Sequence, residues 1–362
     1  MIKYSPYWLE TKPIVGTKQS PKDGSIAIIG SGLTAVSSAY WLYQKGFKDI
    51  TIIDYRPEEA ATFRNCGHIL HGTVESMQAF AAIHGLDKAE QIWKFSIDCC
   101  DLIKATIKNL NISCNYRQDG YLVIAIDEVE LQEIKNSIKL MNDMGFQSSF
   151  VDKKTLTTQG FKNIYGARYE RGSAQAHPVK FRNGILSYLL EQGINYHSGI
   201  KVEQIEEKNS NVVISSNQQK FLFEAAVIAT NAYAPLTCSY IKDLSLIEPF
   251  RGQIIVSSPL KKPFAITYPH SFDHGYEYAL ITPDNRLMIG GWRNNVSGRD
   301  TNSYSLKTKS TIEQGLKSFV DKYYNISEQL SWDYSWSGIM AASNSSLPYI
   351  GPISTRVFLC LG

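Results

Sequence analysis

The chain has 362 residues, 43% of them hydrophobic, and its 37 basic and 34 acidic side chains leave a formal net charge of +3. This length suffices for two domains with buried cores. So small a net charge argues against a nucleic-acid-binding surface. No apolar window of about eighteen residues is present, so no membrane span is predicted. The first residues lack the apolar segment of a secretory signal, and six scattered cysteines without a CxxC pair indicate reduced thiols, a cytoplasmic protein and no metal site.

Residues 26–54 predict a strand, a helix and a second strand. The apolar run IAIIG is typical of a buried strand, a helix of small residues follows it and ends at Gly46, and DITIIDYR predicts the next strand. Helical spacing predicts further helices over 74–110, 127–145 and about 307–323.

The remaining elements are mostly strands. CNYRQDGYLVIAID predicts a hairpin that turns at Asp119-Gly120, and strands follow over 211–216, over 220–229 and repeatedly after residue 250. A βαβ unit followed by antiparallel strands predicts an α/β fold, in which a Rossmann-like dinucleotide-binding domain is interrupted by a β-rich second domain.

The turn after the first strand has the pattern of a dinucleotide-binding turn. Gly30 permits the tight bend, Gly32 allows the backbone to approach a pyrophosphate, and the small Ala35 lets the helix pack on the strand. Asp54 ends the second strand, where an acidic side chain accepts hydrogen bonds from ribose. An ordinary glycine-rich turn is the alternative, and the turn alone does not separate NAD from FAD. The predicted contacts here are Gly30, Gly32, Leu33, Thr34, Ala35, Asp54, Tyr55 and Arg56.

Six later stretches resemble one family of flavoenzymes in the same order along the chain. They are RPEEAATFRNCGHILHG, AHPVKFRNGI, AVIATNAYAP, PFRGQ, PDNRLMIGGWR and WSGIMAASNSSLPYIGP. Over about residues 20–362 the chain resembles the FAD-dependent amino-acid and amine oxidoreductases, which include D-amino-acid oxidase and sarcosine oxidase, and most closely the γ-glutamylputrescine oxidase-like branch.

This resemblance implies a fold, a cofactor and a reaction. It implies a discontinuous FAD-binding domain (1–75, 150–238 and 331–362) and a substrate domain with an antiparallel sheet (76–149 and 239–330). FAD is the implied cofactor, and a small amine or amino acid is the implied partner. The implied reaction moves a hydride from the carbon beside the amine to the flavin, the imine hydrolyses, and oxygen or another acceptor reoxidises the flavin. Oligomeric state is not predicted.

The resemblance also implies which residues contact the cofactor. In the loop after the second strand these are Arg64, Asn65, Cys66, Gly67 and His68, with Gly67 permitting close approach and Arg64 pairing with a phosphate or a flavin carbonyl. Later contacts are Val202 at the adenine, Thr230 and Asn231 near the pyrophosphate, and Trp336 and Gly338 behind the flavin. Surface loops and core packing are the alternative explanations.

Three residues are predicted to be catalytic: His68, Tyr278 and Arg293. On the resemblance, His68 lies near the flavin or the substrate, Tyr278 lines an amine pocket, and Arg293 clamps a substrate carboxylate. His71 and Tyr276 are weaker candidates for the same pocket. A solvated histidine, core tyrosines and a surface arginine are the alternatives.

Two features depart from the family pattern. Met288 aligns with a lysine that aids the reaction of reduced flavin with oxygen in sarcosine-oxidase-like members, so we expect oxygen to be a poor acceptor. The sequence stops at Gly362, where the family continues into a glycine-rich segment and a helix, so we expect weaker FAD binding. A non-catalytic or truncated flavin-binding protein and an NAD(P)-dependent dehydrogenase remain alternatives.

Overall fold

Two eight-stranded sheets organise the residues that the computed structural model describes, which are 2–326 and 330–362. In chain order the strands are β1 Gly24–Ile29, β2 Ile50–Ile53, β3 His68–Ile69, β4 Tyr121–Ala125, β5 Ser148–Asp152, β6 Gly166–Glu170, β7 Ala174–Gln175, β8 Asn195–His197, β9 Gln204–Lys208, β10 Asn211–Ser216, β11 Gln219–Ile228, β12 Ile247–Ser257, β13 His270–Phe272, β14 Glu277–Ile281, β15 Leu287–Gly290, β16 Trp332–Ser343, β17 Tyr349–Pro352 and β18 Val357–Leu361. The α-helices are α1 Leu33–Gln44, α2 Met77–His84, α3 Leu86–Asn109, α4 Glu128–Asp143, α5 Lys153–Thr158, α6 Pro178–Glu191, α7 Ser239–Asp243 and α8 Ser310–Tyr323.

The first sheet has the order β17-β18-β11-β1-β2-β8, in which the strands from β18 to β8 are parallel and β17 is antiparallel to β18. Strands β9 and β10 are added beside β11. β1 runs parallel to both β11 and β2, and its residues Ala27 and Ile28 are completely buried. Helices α1 and α6 pack on this sheet, where Ala35 and Ala39 bring α1 close because their side chains are small. The predicted α/β fold with a Rossmann-like unit is confirmed.

The second sheet has the order β16-β12-β15-β14-β13-β4-β6-β5, and its neighbouring strands are antiparallel except for β13 and β4. One face packs on α5 and α8 through an apolar cluster that includes Phe161, Phe272 and Leu316. Because side chains alternate between the two faces of a strand, Tyr278 and Met288 lie on the opposite face, with the apolar cluster around the 57–67 segment.

Two predicted elements differ from the structure. The helical region 74–110 is two helices, α2 and α3, separated by Gly85, whose φ of +89° lies in the left-handed region. The predicted hairpin at Asp119-Gly120 is wrong, because β4 pairs with β6 and β13, and Arg117 bridges to Gln175 instead. A turn signal cannot say which distant strand will compete for the backbone.

The division into domains stays a prediction. Strands β5, β6 and β16 belong to the second, mainly antiparallel sheet, although their residues fall largely within the ranges predicted for the FAD-binding domain. No helix within residues 2–326 and 330–362 is long and apolar enough to cross a membrane.

Candidate cofactor and substrate site

The turn between β1 and α1 leaves no room for side chains at its two glycines. Gly30 has a φ of +107°, and a Cβ there would lie 2.7 Å from the carbonyl oxygen of Ala229. A Cβ at Gly32 would lie 2.9 Å from Oγ1 of Thr62. Backbone alone therefore forms this turn, as close approach to a ligand requires.

The N-terminus of α1 points backbone amides out of this turn. The amide of Leu33 donates to Oγ1 of Thr62 at 2.9 Å, and Gly32 is the N-cap residue. The first-turn amides of Thr34 and Ala35 have no partner within the helix. Together with the positive end of the helix dipole, they favour an anion such as a diphosphate.

Asp54 is joined to the glycine turn through Ser31. Burial raises the pKa of the Asp54 carboxyl, and hydrogen bonds from Ser31 together with the nearby charge of Arg182 oppose that rise. The next two residues lie at the surface, where Arg56 pairs with Glu59 at 3.0 Å and stacks on the exposed ring of Tyr55. The structure thus brings Asp54 to the turn and leaves Tyr55 and Arg56 at the edge of the site.

Replacing Asp54 with asparagine is expected to weaken FAD binding by about 1–3 kcal/mol, the usual loss for a hydrogen bond to a charged acceptor. Titration of FAD into the stripped protein measures this change. The exposed Asp87 provides the control, since Asp87→Asn should leave the affinity unchanged. An Asp54→Asn variant with the affinity of the unmodified chain would place the ribose elsewhere.

Arg64 is held against strand β16. Its Nη1 donates to the carbonyl of Ser337 at 2.7 Å, and the indole of Trp336 donates to the carbonyl of Arg64 at 2.9 Å. A Cβ at Gly338 would lie 2.8 Å from Cβ of Arg64. Three residues predicted from separate stretches, Arg64, Trp336 and Gly338, therefore meet.

The three residues after Arg64 form a tight bend into β3. The side chain of Asn65 accepts a hydrogen bond from the amide of Gly67 at 2.7 Å. Gly67 has a φ of +82°, and a Cβ there would lie 2.6 Å from the carbonyl oxygen of Ala176. Cys66 is buried, and burial raises the pKa of its thiol. This bend fixes where the following residue, His68, lies.

His68 is a half-buried histidine on β3, with its ring against two tyrosines of the second sheet. Its ring centroid lies 6.5 Å from that of Tyr121 and 6.2 Å from that of Tyr278. Nε2 of His68 is buried without a partner among the described residues. Burial, followed by the nearby His270, lowers the pKa of His68 to about 3, so its ring is neutral at physiological pH.

Tyr278 on β14 lies close to Arg293, which follows β15 in a short 3-10 helix. Tyr278 covers Gly290, where a Cβ would lie 2.6 Å from the tyrosine ring. The guanidinium of Arg293 sits 4.4 Å from the ring centroid of Phe250 and 5.6 Å from that of Tyr276. Burial raises the pKa of Tyr278, and the charge of Arg293 partly opposes this. Tyr278 therefore faces His68 on one side and a cation on another.

Of the contacts predicted later in the chain, Thr230 lies at the glycine turn. Oγ1 of Thr230 is buried without a partner among the described residues, and its methyl group would lie 3.6 Å from a Cβ at Gly30. Asn231 accepts a hydrogen bond from the amide of Gly362 at 3.1 Å. Val202 is buried in the same apolar cluster as Ile53. Met288 is completely buried beside Leu280 on the face that carries Tyr278.

Beside His68 a cavity of about 420 Å³ opens between α2, α4 and the second sheet. Its walls carry a buried ion pair, in which Arg168 and Glu170 are 2.6 Å apart, and Arg168 also donates to Ser137 at 2.7 Å. The hydroxyls of Tyr121 and Ser271 are hydrogen-bonded at 2.5 Å on the same walls. Among the residues that the sequence analysis proposed for the substrate pocket, His71 lines this cavity.

The ion pair and its neighbours were missed from the sequence. Arg168 and Glu170 stand two positions apart on β6, and that spacing places both on one face of a strand. A charged pair on a largely buried strand was the available signal. A larger groove of about 740 Å³, beside Leu236 and Tyr304, is lined by none of the predicted site residues.

Because Glu277, next to Tyr278, is a buried carboxyl, we expect the stability of the protein to depend on pH. Its side chain is completely buried, and burial raises its pKa from 4.5 to about 8. Between these values the folded chain holds a proton that the unfolded chain releases, so the free energy of unfolding falls as the pH rises. Glu277→Gln is expected to remove this loss, with no gain below pH 4.5 and a gain of about 1–3 kcal/mol at pH 8.

Chemical denaturation at pH 4.5, 6 and 8 measures the Glu277→Gln effect. The exposed Glu191 supplies the matched control, since Glu191→Gln should shift stability little at any pH. A gain independent of pH would contradict a protonated Glu277.

Comparison with known proteins gives the class to which this site belongs. The FAD dependent oxidoreductase family, DAO, matches residues 25–362, and the chain belongs to that family. Relatives include the probable oxidoreductase OrdL of Haemophilus influenzae, 24% identical over 93% of this chain and 78% of the relative, and the gamma-glutamylputrescine oxidoreductase of Escherichia coli, 22% identical over the same shares.

Solved structures show the same fold. L-proline dehydrogenase from P. horikoshii superposes with a TM-score of 0.76 at 19% identity, over 95% of this chain and 88% of that chain. Glycine oxidase from Geobacillus kaustophilus also gives a TM-score of 0.76, at 17% identity, over 94% of this chain and 90% of that chain.

The chain is therefore an FAD-dependent oxidoreductase, and its residues fit the cofactor. Gly30 and Gly32 are held where a Cβ would collide with Ala229 or Thr62, so the turn presents bare backbone at both positions. Thr230 and His68 each hold a buried polar atom that lacks a partner among the described residues. Such atoms in a native fold call for a ligand or water.

Proposed function

We propose that this enzyme oxidises the C–N bond of a small amine or amino acid. FAD, when bound, accepts the hydride from the substrate carbon. The resulting imine hydrolyses in water to a carbonyl compound. The observation that carries the proposal is the cavity of about 420 Å³ lined by Tyr121, whose ring lies 6.5 Å from that of His68. Relatives named gamma-glutamylputrescine oxidoreductase and D-amino acid dehydrogenase support it.

The residues between the cavity and the glycine turn would favour an uncharged amine. His68 is neutral, and burial raises the pKa of Tyr121 to about 12, so this hydroxyl is also neutral. Neither of these two neutral side chains supplies a countercharge for an ammonium ion, so they favour the free amine, which has the lone pair needed to form an imine. In this proposal the unpartnered Nε2 of His68 meets the substrate.

Tyr278 and Arg293 have supporting roles in the proposal. Tyr278 packs against His68 and limits the space next to it. The charge of Arg293, close to Tyr278, would attract a substrate carboxylate. An amino acid is then preferred over a simple amine, and Arg293→Met should raise KM for the amino acid more than for the amine.

An anaerobic panel of amines and amino acids tests the proposal. Each compound is mixed with the FAD-loaded protein, and loss of the oxidised-flavin absorbance is followed. At least one class of compound should bleach the flavin, His68→Asn should slow the bleaching, and the surface variant Arg171→Met should not. Flavin that no compound bleaches would favour a non-catalytic flavin-binding protein, whereas colourless protein that binds nicotinamide nucleotides would favour an NAD(P)-dependent dehydrogenase.

The same proposal extends to reoxidation. Because the buried Met288 carries no charge where similar enzymes have a lysine, we expect the reduced enzyme to react slowly with oxygen and faster with another acceptor. Stopped-flow reoxidation by air and by an artificial quinone gives the two rates. Reaction with air at the faster rate would make the enzyme an oxidase.

A cytoplasmic location is also part of the proposal. It rests on the six cysteines, which are all free. Cell fractionation tests it.

A further inference from the structure

Arg182 is a completely buried arginine on α6, directly beneath the glycine turn. Its Nε donates to the carbonyl oxygen of Ser31 at 2.8 Å, between Gly30 and Gly32. Its Nη1 donates to the carbonyl oxygen of Ile14 at 2.9 Å. The arginine thus ties the middle of the turn to a second segment of backbone.

The hydrogen bonds from Arg182 continue in one direction toward Asp54. Nη2 of Arg182 donates to the hydroxyl of Tyr196 at 3.1 Å, and that hydroxyl donates to Oγ of Ser31 at 3.1 Å. Ser31 in turn hydrogen-bonds the carboxylate of Asp54. Because each hydroxyl receives one hydrogen bond and gives the next, the chain of bonds fixes how the carboxylate is turned.

The charge of Arg182 is also placed where an anion is expected. Its hydrogen-bond partners are carbonyl, hydroxyl and amide oxygens, and the rings of Phe63 and Tyr196 lie 5.5 Å and 5.4 Å from the guanidinium carbon. Burial lowers the pKa of Arg182, and the nearby Tyr196 and Asp54 oppose this. A buried cation is costly unless an opposite charge lies close to it, and a bound diphosphate would add one.

We propose that Arg182 is a positioning residue for FAD: through Ser31 and Tyr196 it fixes the glycine turn and orients Asp54 toward the ribose, and its charge favours the diphosphate. The signal in the sequence was a charged residue on an apolar helical stripe, since Arg182 lies three, four and seven positions before Ile185, Leu186 and Leu189. Arg182 itself contacts no substrate in this proposal.

Binding of ADP and of adenosine to the stripped, full-length protein separates the two roles. Only ADP carries the phosphates, so Arg182→Met is expected to lower the preference for ADP over adenosine by about tenfold, and Arg182→Lys should restore most of that preference. Ser31→Ala and Tyr196→Phe keep the charge. They should weaken both ligands equally, by about two- to tenfold, because Asp54 loses its orientation. Arg171→Met is the surface control.

A double variant completes the test. Ser31 and Tyr196 belong to one chain of hydrogen bonds, so Ser31→Ala with Tyr196→Phe should weaken adenosine binding no more than the larger single change. The proposal is overturned if Ser31→Ala and Tyr196→Phe bind adenosine as the unmodified chain does. It is equally overturned if Arg182→Met leaves the ADP preference unchanged. If Arg182→Met does not fold, the Ser31 and Tyr196 variants decide the outcome alone.

Discussion

Replacing Gly32 with valine should abolish retention of FAD. The new Cβ would lie 2.9 Å from Oγ1 of Thr62, so this side chain must move and the hydrogen bond from the Leu33 amide is lost. The two methyl groups of valine would also occupy space in front of the first-turn amides, where we propose that the diphosphate binds. Flavin absorbance per protein after purification, followed by FAD titration, measures the loss.

Gly24→Val is the matched control for this change. Gly24 begins β1, and a Cβ there would meet its nearest neighbours at 3.4 Å, which is ordinary contact. Valine also suits a strand. We expect Gly24→Val to keep FAD, and flavin occupancy that Gly32→Val leaves intact would show that the diphosphate does not lie on this turn.

Replacing Arg168 with methionine should destabilise the protein by about 3–5 kcal/mol, the usual cost of removing one partner from a buried ion pair. Glu170, which is 3% exposed, would keep its charge without the guanidinium that now lies 2.6 Å away. Ser137 would lose the hydrogen bond that it receives from Arg168. Denaturant unfolding of the FAD-loaded protein measures the change.

The double variant Arg168→Met/Glu170→Gln distinguishes lost charge from lost packing. Removing both charges should recover most of the stability, because no unpaired ion remains buried. Arg171→Met, an exposed change one residue beyond the pair, should cost little. Equal stability of the single and double variants would mean that packing of the arginine stem matters more than the charge.

The parts of the site that the sequence predicted are encoded locally. Gly30, Gly32 and Asp54 lie within one βαβ unit, and a tight strand-to-helix turn has few alternatives, so three residues at fixed spacing predict its geometry. The contacts among Arg64, Trp336 and Gly338 were reached differently. They were predicted one by one from resemblance, and only the fold shows that the residues touch.

The parts that were missed depend on which distant segments meet. Arg168 and Glu170 become a cavity wall because β6 pairs with β4 and α4 covers that face. Arg182 reaches the glycine turn because α6 packs against α1. A hydrophobic pattern shows that a charged side chain will be buried, yet not which partner it will find. The wrong hairpin at Asp119-Gly120 has the same origin.

The pairing of the strands also has a consequence for the order of folding. β1 pairs with β11, and β4 pairs with β13, so each sheet joins segments that are far apart in the chain. The two pairings interleave, because β11 lies between β4 and β13 in the sequence. Neither sheet can therefore form completely from contacts between segments that are close in sequence. We expect slow, late and simultaneous completion of both sheets, since loop-closure entropy must be overcome before distant contacts compensate for it.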